Sequence, residues 1–578
     1  MSRDYVRRPL GIPYDWTMPP GSDPDTLAWA SEAVRRFAAA TNMLVAARRF
    51  RIVGGDPRDT AALHGLLTGL GARAAADHEP VDQLWCLGTP DESTAVIERE
   101  ADRPRGATLV VVDAGRHLPA VDEDAFGPVT SARPGVLGVP VLSDDVFLVS
   151  TGRDPEDDPA AEARLRWARR SMPVSRAVAA ELRDGGLLRG TRIGVAMFLE
   201  PKTAVLSLLL RDAGAEVVVY AHADETDDAV AEVLRQAGLT VHASSTATTA
   251  EQKALALAML DTRPHILLDD GSHLIRLAHQ ERPDLLPTML GAAEETTSGL
   301  RPLRVMASRG ALGIPVVAVN DARTKTFFDN RYGTGQSTVF AVLDLIDGLA
   351  SDAHRVRTGG TAVVAGYGHV GEGVALVLAA LGFRVTVAET DPVRALQALF
   401  AGHAVAPLTD AVREADLVMS ATGGSDTIDL GVLRACADGA VVAVAGGVDQ
   451  EVAIHAAVVD GAARSTIGRK VERLTWPDGH HVLLLDDGGC INITAAEGNP
   501  VEIMDLSFAA QLGAVRMLLE RGDELDRAVV PIDPAVDEAT ARAALAAFGS
   551  RPVPPVGLAE HPADREPDVR TRRFGDPA

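Results

Sequence analysis

Residues 361–391, TAVVAGYGHVGEGVALVLAALGFRVTVAETD, hold the residue types whose spacing is most specific for chemistry. An apolar run of strand character leads into Gly366-Tyr367-Gly368-His369-Val370-Gly371. Gly366 permits a tight turn, Gly368 lets the backbone approach a pyrophosphate, and Gly371 lets helix pack on strand. The pyrophosphate then rests at a helix N-terminus formed by His369 and Val370, where unpaired N–H groups and the helix dipole favour an anion. A second strand pattern ends at Glu389, the spacing of a carboxylate that binds ribose hydroxyls. A carboxylate there repels a 2′-phosphate, so the pattern favours NAD over NADP. A bare GxGxxG is weak, but here strand, turn, helix, second strand and terminal acid agree in one βαβ unit.

Three further clusters lie upstream. ILLDDGSH ends an apolar run at Asp269 and Asp270, GAAEETTSG contains Glu295, Thr296, Thr297 and Ser298, and VNDARTKTFFDNRYG contains Lys325, Asp329 and Asn330. Singly, each has a plain structural reading. Strand-end aspartates cap helices, a Glu-Glu-Thr-Thr run starts a helix, and one lysine among polar residues is solvated. Their setting argues for more, because ligands bind at the carboxyl ends of strands in open α/β sheets. His480-His481 has no third ligand and no other histidine shows zinc spacing, so no metal is expected.

These groups need alternating strands and helices to hold them. Strand-like runs RIGVAMF, EVVVYA, HILLDD and IPVVAVN alternate with helical patterns from 163 to about 320. Residues 48–150 repeat the alternation in FRIVGG, DQLWCLG and ATLVVVDAG, with no phosphate loop and no cluster of catalytic types. The expected fold class is α/β: a Rossmann-type NAD-binding domain, a second α/β substrate domain and an additional small α/β N-terminal domain. The expected boundaries are 1–162 for the N-terminal domain and its acidic linker, 163–335 for the first part of the substrate domain, 336–497 for the Rossmann domain, 498–548 for a return to the substrate domain, and 549–578 for a tail.

Composition narrows the class. The chain has 578 residues, 46% hydrophobic and 24% charged, ordinary values for a soluble enzyme. A net charge of −24 argues against nucleic acid and anionic membrane as partners. The 3 cysteines form neither a disulfide framework nor metal-ligand spacing. No apolar run reaches a membrane span or the core of a signal peptide. A cytoplasmic protein is expected.

Taken in order, MPVSRAVAAEL, LLRGTRIGV, ILLDDGSH, EETTSG, VNDARTKTFFDNRYG, VVAGYGHVGEG, AETDPVRALQALF, SATGGSDTI, INITAAEGNP and IMDLSF resemble the adenosylhomocysteinases (S-adenosylhomocysteine hydrolases). The likeness runs from about Ala163 to Phe548. It implies tightly held NAD+, oxidation of a ribose 3′-hydroxyl, removal of the acidified C4′ proton, elimination of the 5′ substituent, addition of water and reduction of the ketone. It also implies roles. Lys325 polarises the 3′-oxygen, Asp329 and Asn330 orient that lysine and the nicotinamide, and Asp270 and Glu295 serve acid–base and ribose contacts. Thr296, Thr297, Ser298 and Asn492 bind the cofactor, with Thr422 and Gly423 beside it. Burial is expected to lower the Lys325 pKa towards neutrality. Members of the family are homo-oligomers, so one is expected here.

The chain also departs from the family pattern. His-Met-Thr-x-Glu-Thr becomes Phe198-Leu199-Glu200-Pro201-Lys202-Thr203, Gly-His-Phe-Asp becomes Gly446-Gly447-Val448-Asp449, and Met-Gly-His-Pro becomes Glu497-Gly498-Asn499-Pro500. The redox groups are kept while Phe198, Glu200, Lys202, Thr203, Gly447 and Asn499 redraw the substrate pocket. A site built to hydrogen-bond one base rejects a mismatched one. The expectation is therefore an NAD-dependent hydrolase or lyase of specialised metabolism. Its substrate is a nucleoside-like small molecule other than S-adenosylhomocysteine, and the net reaction is hydrolysis or dehydration. A true S-adenosylhomocysteine hydrolase with an altered pocket, and a catalytically silent NAD-binding regulator, are the alternatives. Retention of Lys325, Asp329 and Asn330 argues against the regulator.

Overall fold

The computed structural model describes residues 24–103, 108–149, 161–349, 354–446 and 450–550. Three sheets organise them. The first comprises β1 (Arg49–Val53), β2 (Arg73–Ala74), β3 (Gln83–Cys86), β4 (Leu109–Asp113), β5 (Thr130–Arg133), β6 (Val136–Gly138) and β7 (Val146–Val149), in spatial order β2-β1-β3-β4-β7-β6-β5. Its core strands are parallel, and β5 and β6 add an antiparallel edge. The helix Pro24–Thr41 covers it, with Phe37 and Trp85 rings 5.5 Å apart in the core between them.

The second sheet comprises β8 (Arg192–Ala196), β9 (Glu216–Tyr220), β10 (Thr240–His242), β11 (Ile266–Asp269), β12 (Gly291–Glu294) and β13 (Val316–Ala318), with the strand Val529–Pro531 on the far edge. The third comprises β14 (Thr361–Ala365), β15 (Arg384–Ala388), β16 (Ala404–Val405), β17 (Leu417–Ser420), β18 (Ala440–Val444), β19 (Ala463–Gly468), β20 (Val471–Thr475) and β21 (His481–Leu485). Their spatial orders are β10-β9-β8-β11-β12-β13 and β16-β15-β14-β17-β18-β21-β20-β19. Both begin third, second, first, fourth, fifth in order of appearance, the doubly wound arrangement. Connections leave on opposite faces where that order reverses, which opens a crevice at the carboxyl ends of the strands. The crevices lie between β8 and β11 and between β14 and β17. The fold is α/β with a Rossmann-type third sheet, as the alternating patterns implied.

Among the strands that the sequence reading did not name, β12 is the one that carries the site. GAAE of β12 reads as the approach to a helix, because glycine and alanine have low strand propensity. It is nevertheless a fully buried strand between β11 and β13, and the helix begins only at Thr297. Tertiary pairing outweighs local preference there.

The long buried helix Val501–Arg521 leads the chain back from the third sheet to the second, where Val529–Pro531 pairs with β13. Asp505 on this helix accepts hydrogen bonds from the Val174 and Ser175 backbone at 2.8 and 2.7 Å, and so caps the helix Pro173–Asp184. A seam at 42–48 ties the first sheet to the rest. Gln336 accepts from Val45 N at 3.0 Å and donates to Met43 O at 3.0 Å, Leu44 N donates to Glu502, and Arg48 pairs with Glu502. No helix among the described residues is long and apolar enough to cross a membrane.

The seam generates a stability prediction. Gln336→Ala leaves a buried N–H and a buried carbonyl without partners, at a cost of about 1–3 kcal/mol. Urea denaturation followed by tryptophan fluorescence measures it, and a change near zero contradicts this role for Gln336.

Candidate active site

Strand register brings the acids together. Asp269 lies directly beside Glu294 in the β11–β12 pair, so Asp270 and Glu295 leave adjacent strand ends. The inner pair is structural. Glu294 accepts from Gly271 N, Ser272 N, Thr296 N and the Thr296 hydroxyl at 2.7–2.9 Å, and Asp269 accepts from Ile275 N at 2.8 Å. Burial pushes the Asp269 carboxyl up to about 8 and Glu294 well above its ordinary value. The outer pair, Asp270 and Glu295, lines a cavity of about 1140 Å³.

Lys325 enters the same cavity from the short helix Arg323–Thr326, followed by the π-helical turn Asp329–Gly333. Asp537, far along the chain, holds that helix by accepting from Arg323 N and Thr324 N at 3.0 and 2.8 Å. The Lys325 Nζ lies 2.8 Å from Asp329 Oδ2 and 3.0 Å from Asn330 Oδ1. Asn320 Oδ1 and Glu295 Oε1 are farther, at 3.5 and 3.8 Å. Gln511 donates to Glu295 Oε2 at 2.6 Å, while Glu295 Oε1 is buried with no hydrogen-bond partner.

The expected lowering of the Lys325 pKa is incorrect. Burial pulls it down, but the charges of Asp329, Glu295 and Asp270 outweigh burial and raise it above the ordinary lysine value. Lys325 is a buried ammonium. Burial pushes Asp270 up to about 6 and Glu295 up to about 7, with Lys325 opposing both rises. Two carboxyls thus titrate near neutrality beside a fixed cation.

The facing sheet supplies the dinucleotide cradle. Gly366 has φ +91°, a conformation that favours glycine. A Cβ on Gly371 would lie 2.0 Å from Gly366 O, so the helix His369–Ala380 can sit against the turn only with glycine there. Gly368, His369 and Val370 line the cavity at that helix start, where backbone N–H groups are unpaired. Glu389 accepts from Tyr367 N and Thr390 N at 2.7 Å and from Asp391 N at 2.8 Å; although burial pushes its carboxyl up, these bonds hold it below the ordinary range. A fixed carboxylate beside an anion-binding turn suits a dinucleotide with free ribose hydroxyls. Thr422 and Gly423 line the cavity, held from behind by Glu451, which accepts from both backbone N–H groups at 3.2 Å. Thr296 caps the helix Thr297–Ser308; Thr297, Ser298 and Asn492 also line the space.

At the other end stand Phe198, Glu200, Lys202, Thr203 and Asn499. Gly447 lies outside the described residues. Glu200 caps the helix Pro201–Asp212 and lies 2.8 Å from the Lys202 ammonium. That ammonium also donates to Glu497 O at 2.7 Å and to Asn42 Oδ1 at 3.0 Å. Its three N–H bonds are all committed, so Lys202 does not reach out to a ligand. Asn499 donates to Asp329 Oδ1 at 2.7 Å and accepts from Asn492 at 3.0 Å, which links the lysine cluster to the cradle side.

Sequence reasoning passed over Asn320, Gln511, Asp537 and Glu451. Asn320 stood in the VNDARTK run and was legible as a polar neighbour of Lys325. The other three come from distant segments, and only folding brings them to the site. His480 Nε2 lies 2.9 Å from Cys436 O, and His481 Nδ1 lies 2.8 Å from Asp438 Oδ1.

A sequence model for the NAD binding domain of S-adenosyl-L-homocysteine hydrolase matches residues 338–498. An adenosylhomocysteinase of Thermotoga maritima is 38% identical over 389 residues, which cover 67% of this chain and 95% of that protein. An S-inosyl-L-homocysteine hydrolase of Methanothermobacter thermautotrophicus is 38% identical over 397 residues, covering 68% of this chain and 92% of its own.

The cradle geometry predicts the effect of one methyl group. Overpacking of Gly371→Ala costs about 1–3 kcal/mol, so dinucleotide retained through gel filtration falls about tenfold or more. Retention equal to that of the unaltered protein contradicts the assignment of the turn.

Proposed function

The chain belongs to the adenosylhomocysteinase family and is an NAD-dependent enzyme; from that premise we propose that it oxidises the 3′-hydroxyl of a nucleoside, eliminates the 5′ substituent and reduces the sugar again. The observation that carries this reading is the pairing of Lys325 with the unpartnered Glu295 Oε1 in the cavity that also holds the dinucleotide turn. A secondary alcohol fits such a pair. Its O–H donates to Glu295 Oε1, and its oxygen accepts from the Lys325 N–H that makes only the long contacts to Asn320 and Glu295.

NAD, when bound, accepts the hydride from C3′ and later returns it. The protein supplies everything else. Lys325 stays an ammonium and stabilises negative charge growing on the 3′-oxygen. Asp329 and Asn330 fix its direction. Glu295 takes the hydroxyl proton. The resulting ketone acidifies C4′–H, and Asp270, already ionised above a pH of about 6, takes that proton. The C4′ electron pair then expels the 5′ group, which takes the proton held on Asp270. Addition of water before re-reduction gives net hydrolysis, and its omission gives net dehydration when the 5′ group is hydroxyl.

The two named relatives act on S-adenosyl- and S-inosyl-homocysteine, which share a purine nucleoside with a 5′-thioether. That shared part is the substrate class proposed here. Phe198, Lys202 and Asn499 favour a compound other than S-adenosylhomocysteine itself, since each alters a hydrogen-bonding position of the pocket.

Two outcomes test the reading. Adding the accepted nucleoside to NAD+-loaded protein produces the absorbance of reduced nicotinamide, and Lys325→Ala slows that step by about 10²–10⁴-fold. The rate of complete turnover also rises with pH between about 6 and 7, because Glu295 must be ionised to accept the hydroxyl proton and Asp270 to accept the C4′ proton. A Lys325→Ala protein that reacts normally, or a rate independent of pH across that window, contradicts the assignment.

A further inference from the structure

The wall that carries Lys202 is not built by the second and third sheets alone. Lys202 is 2% exposed, and its ammonium has three acceptors: Glu200, the Glu497 carbonyl and the Asn42 side chain. Asn42 belongs to the seam that follows the helix Pro24–Thr41. The Glu497 side chain pairs with Arg133, which projects from β5 of the first sheet and is itself 4% exposed. Arg133 also donates to Thr41 O at 3.3 Å, the residue before Asn42. Burial pushes the Glu497 carboxyl up, but Arg133 and Lys202 hold it below its ordinary value. A continuous chain of charges therefore runs Arg133–Glu497–Lys202–Glu200, from the first sheet to the cavity.

We infer that Asn42 and Arg133 of the N-terminal unit are positioning residues that set the substrate wall at Lys202 and thereby the enzyme's choice of nucleoside. The inference rests on the nucleoside chemistry proposed above. With its ammonium saturated, Lys202 offers a ligand no donor. Each Glu200 oxygen already takes two donors, from the Lys202 and Thr203 backbone, the Thr203 hydroxyl and the ammonium, so the acceptor this wall keeps for a ligand edge rich in N–H groups is the Glu497 carboxylate. Without Arg133, Glu497 is a buried carboxylate whose nearest cation is Lys202. The lysine then turns towards it, away from Glu200 and Asn42, and presents a donor where the native wall presents an acceptor. Asn42 has φ +50°, so Asn42→Gly removes the side chain without straining the backbone.

The test uses NAD+-loaded full-length protein and four probes: adenosine, inosine, S-adenosylhomocysteine and S-inosylhomocysteine. Asn42→Gly and Arg133→Met raise KM for the probe that the unaltered protein prefers by about tenfold, the effect of losing a hydrogen bond to a charged group. Their kcat for nicotinamide reduction changes by less than about threefold, because uniform binding is lost and the transition-state contacts stay. Bound NAD and melting temperature are recorded for each variant, and Arg133→Lys recovers most of the KM. Unchanged KM and unchanged probe preference in Asn42→Gly overturn the inference. So does a parallel fall of kcat, bound NAD and melting temperature in both variants without recovery in Arg133→Lys, which marks a structural role only. If the unaltered protein reduces its nicotinamide with none of the four probes, the functional reading fails and this inference falls with it.

Discussion

Lys325 is buried among Asp329, Glu295 and Asp270, and a charge at that depth persists only where partners hold it. The cluster binds in both directions. The carboxyls keep the lysine protonated, and the lysine limits how far burial raises the pKa values of Asp270 and Glu295. Removing one partner of a buried ion pair costs about 3–5 kcal/mol, so the site's geometry and its charge state stand or fall together. Asp537, Gln511, Asn320 and Asn499 all serve this arrangement from outside, by fixing the backbone of the lysine turn or the direction of a carboxylate or amide.

The fold brings that cluster to the cofactor side by using one topology twice. Each doubly wound sheet opens a crevice where its strand order reverses, and Asp270 and Glu295, just after β11 and β12, and the glycine turn after β14 line one shared cavity. Neither sheet carries a complete site. The first sheet adds no crevice of its own to this cavity but reaches it from behind, through Asn42 and Arg133.

Much of this was legible before folding. The βαβ pattern around Gly366 and the alternation of strand and helix depend on local periodicity, and local periodicity is written in the chain. Lys325, Asp329 and Asn330 lie close in sequence, so one helical turn already implies their contact. What was illegible depends on distance. β12 is a strand only because β11 and β13 flank it. From sequence Lys202 can pair with Glu200 or meet a ligand group; the pairing is found, while its commitment to Asn42 and Glu497 follows from packing of segments that are remote in sequence. The pKa of Lys325 was misjudged for the same reason, since desolvation is visible in an apolar context but the added charge of Glu295 and Asp270, remote in sequence, is not. Gly447 and the tail from 551 onward lie outside the described residues.

In the proposed reaction this cluster, with NAD, activates the sugar at C3′ and thereby makes C4′–H acidic. Proton NMR of the preferred nucleoside incubated in D2O with NAD+-loaded protein measures that acidity directly. The expected result is loss of the C4′ proton signal to deuterium, dependent on bound NAD+. A C4′ signal that persists while the nicotinamide is reduced would contradict it, as would exchange in protein stripped of the cofactor.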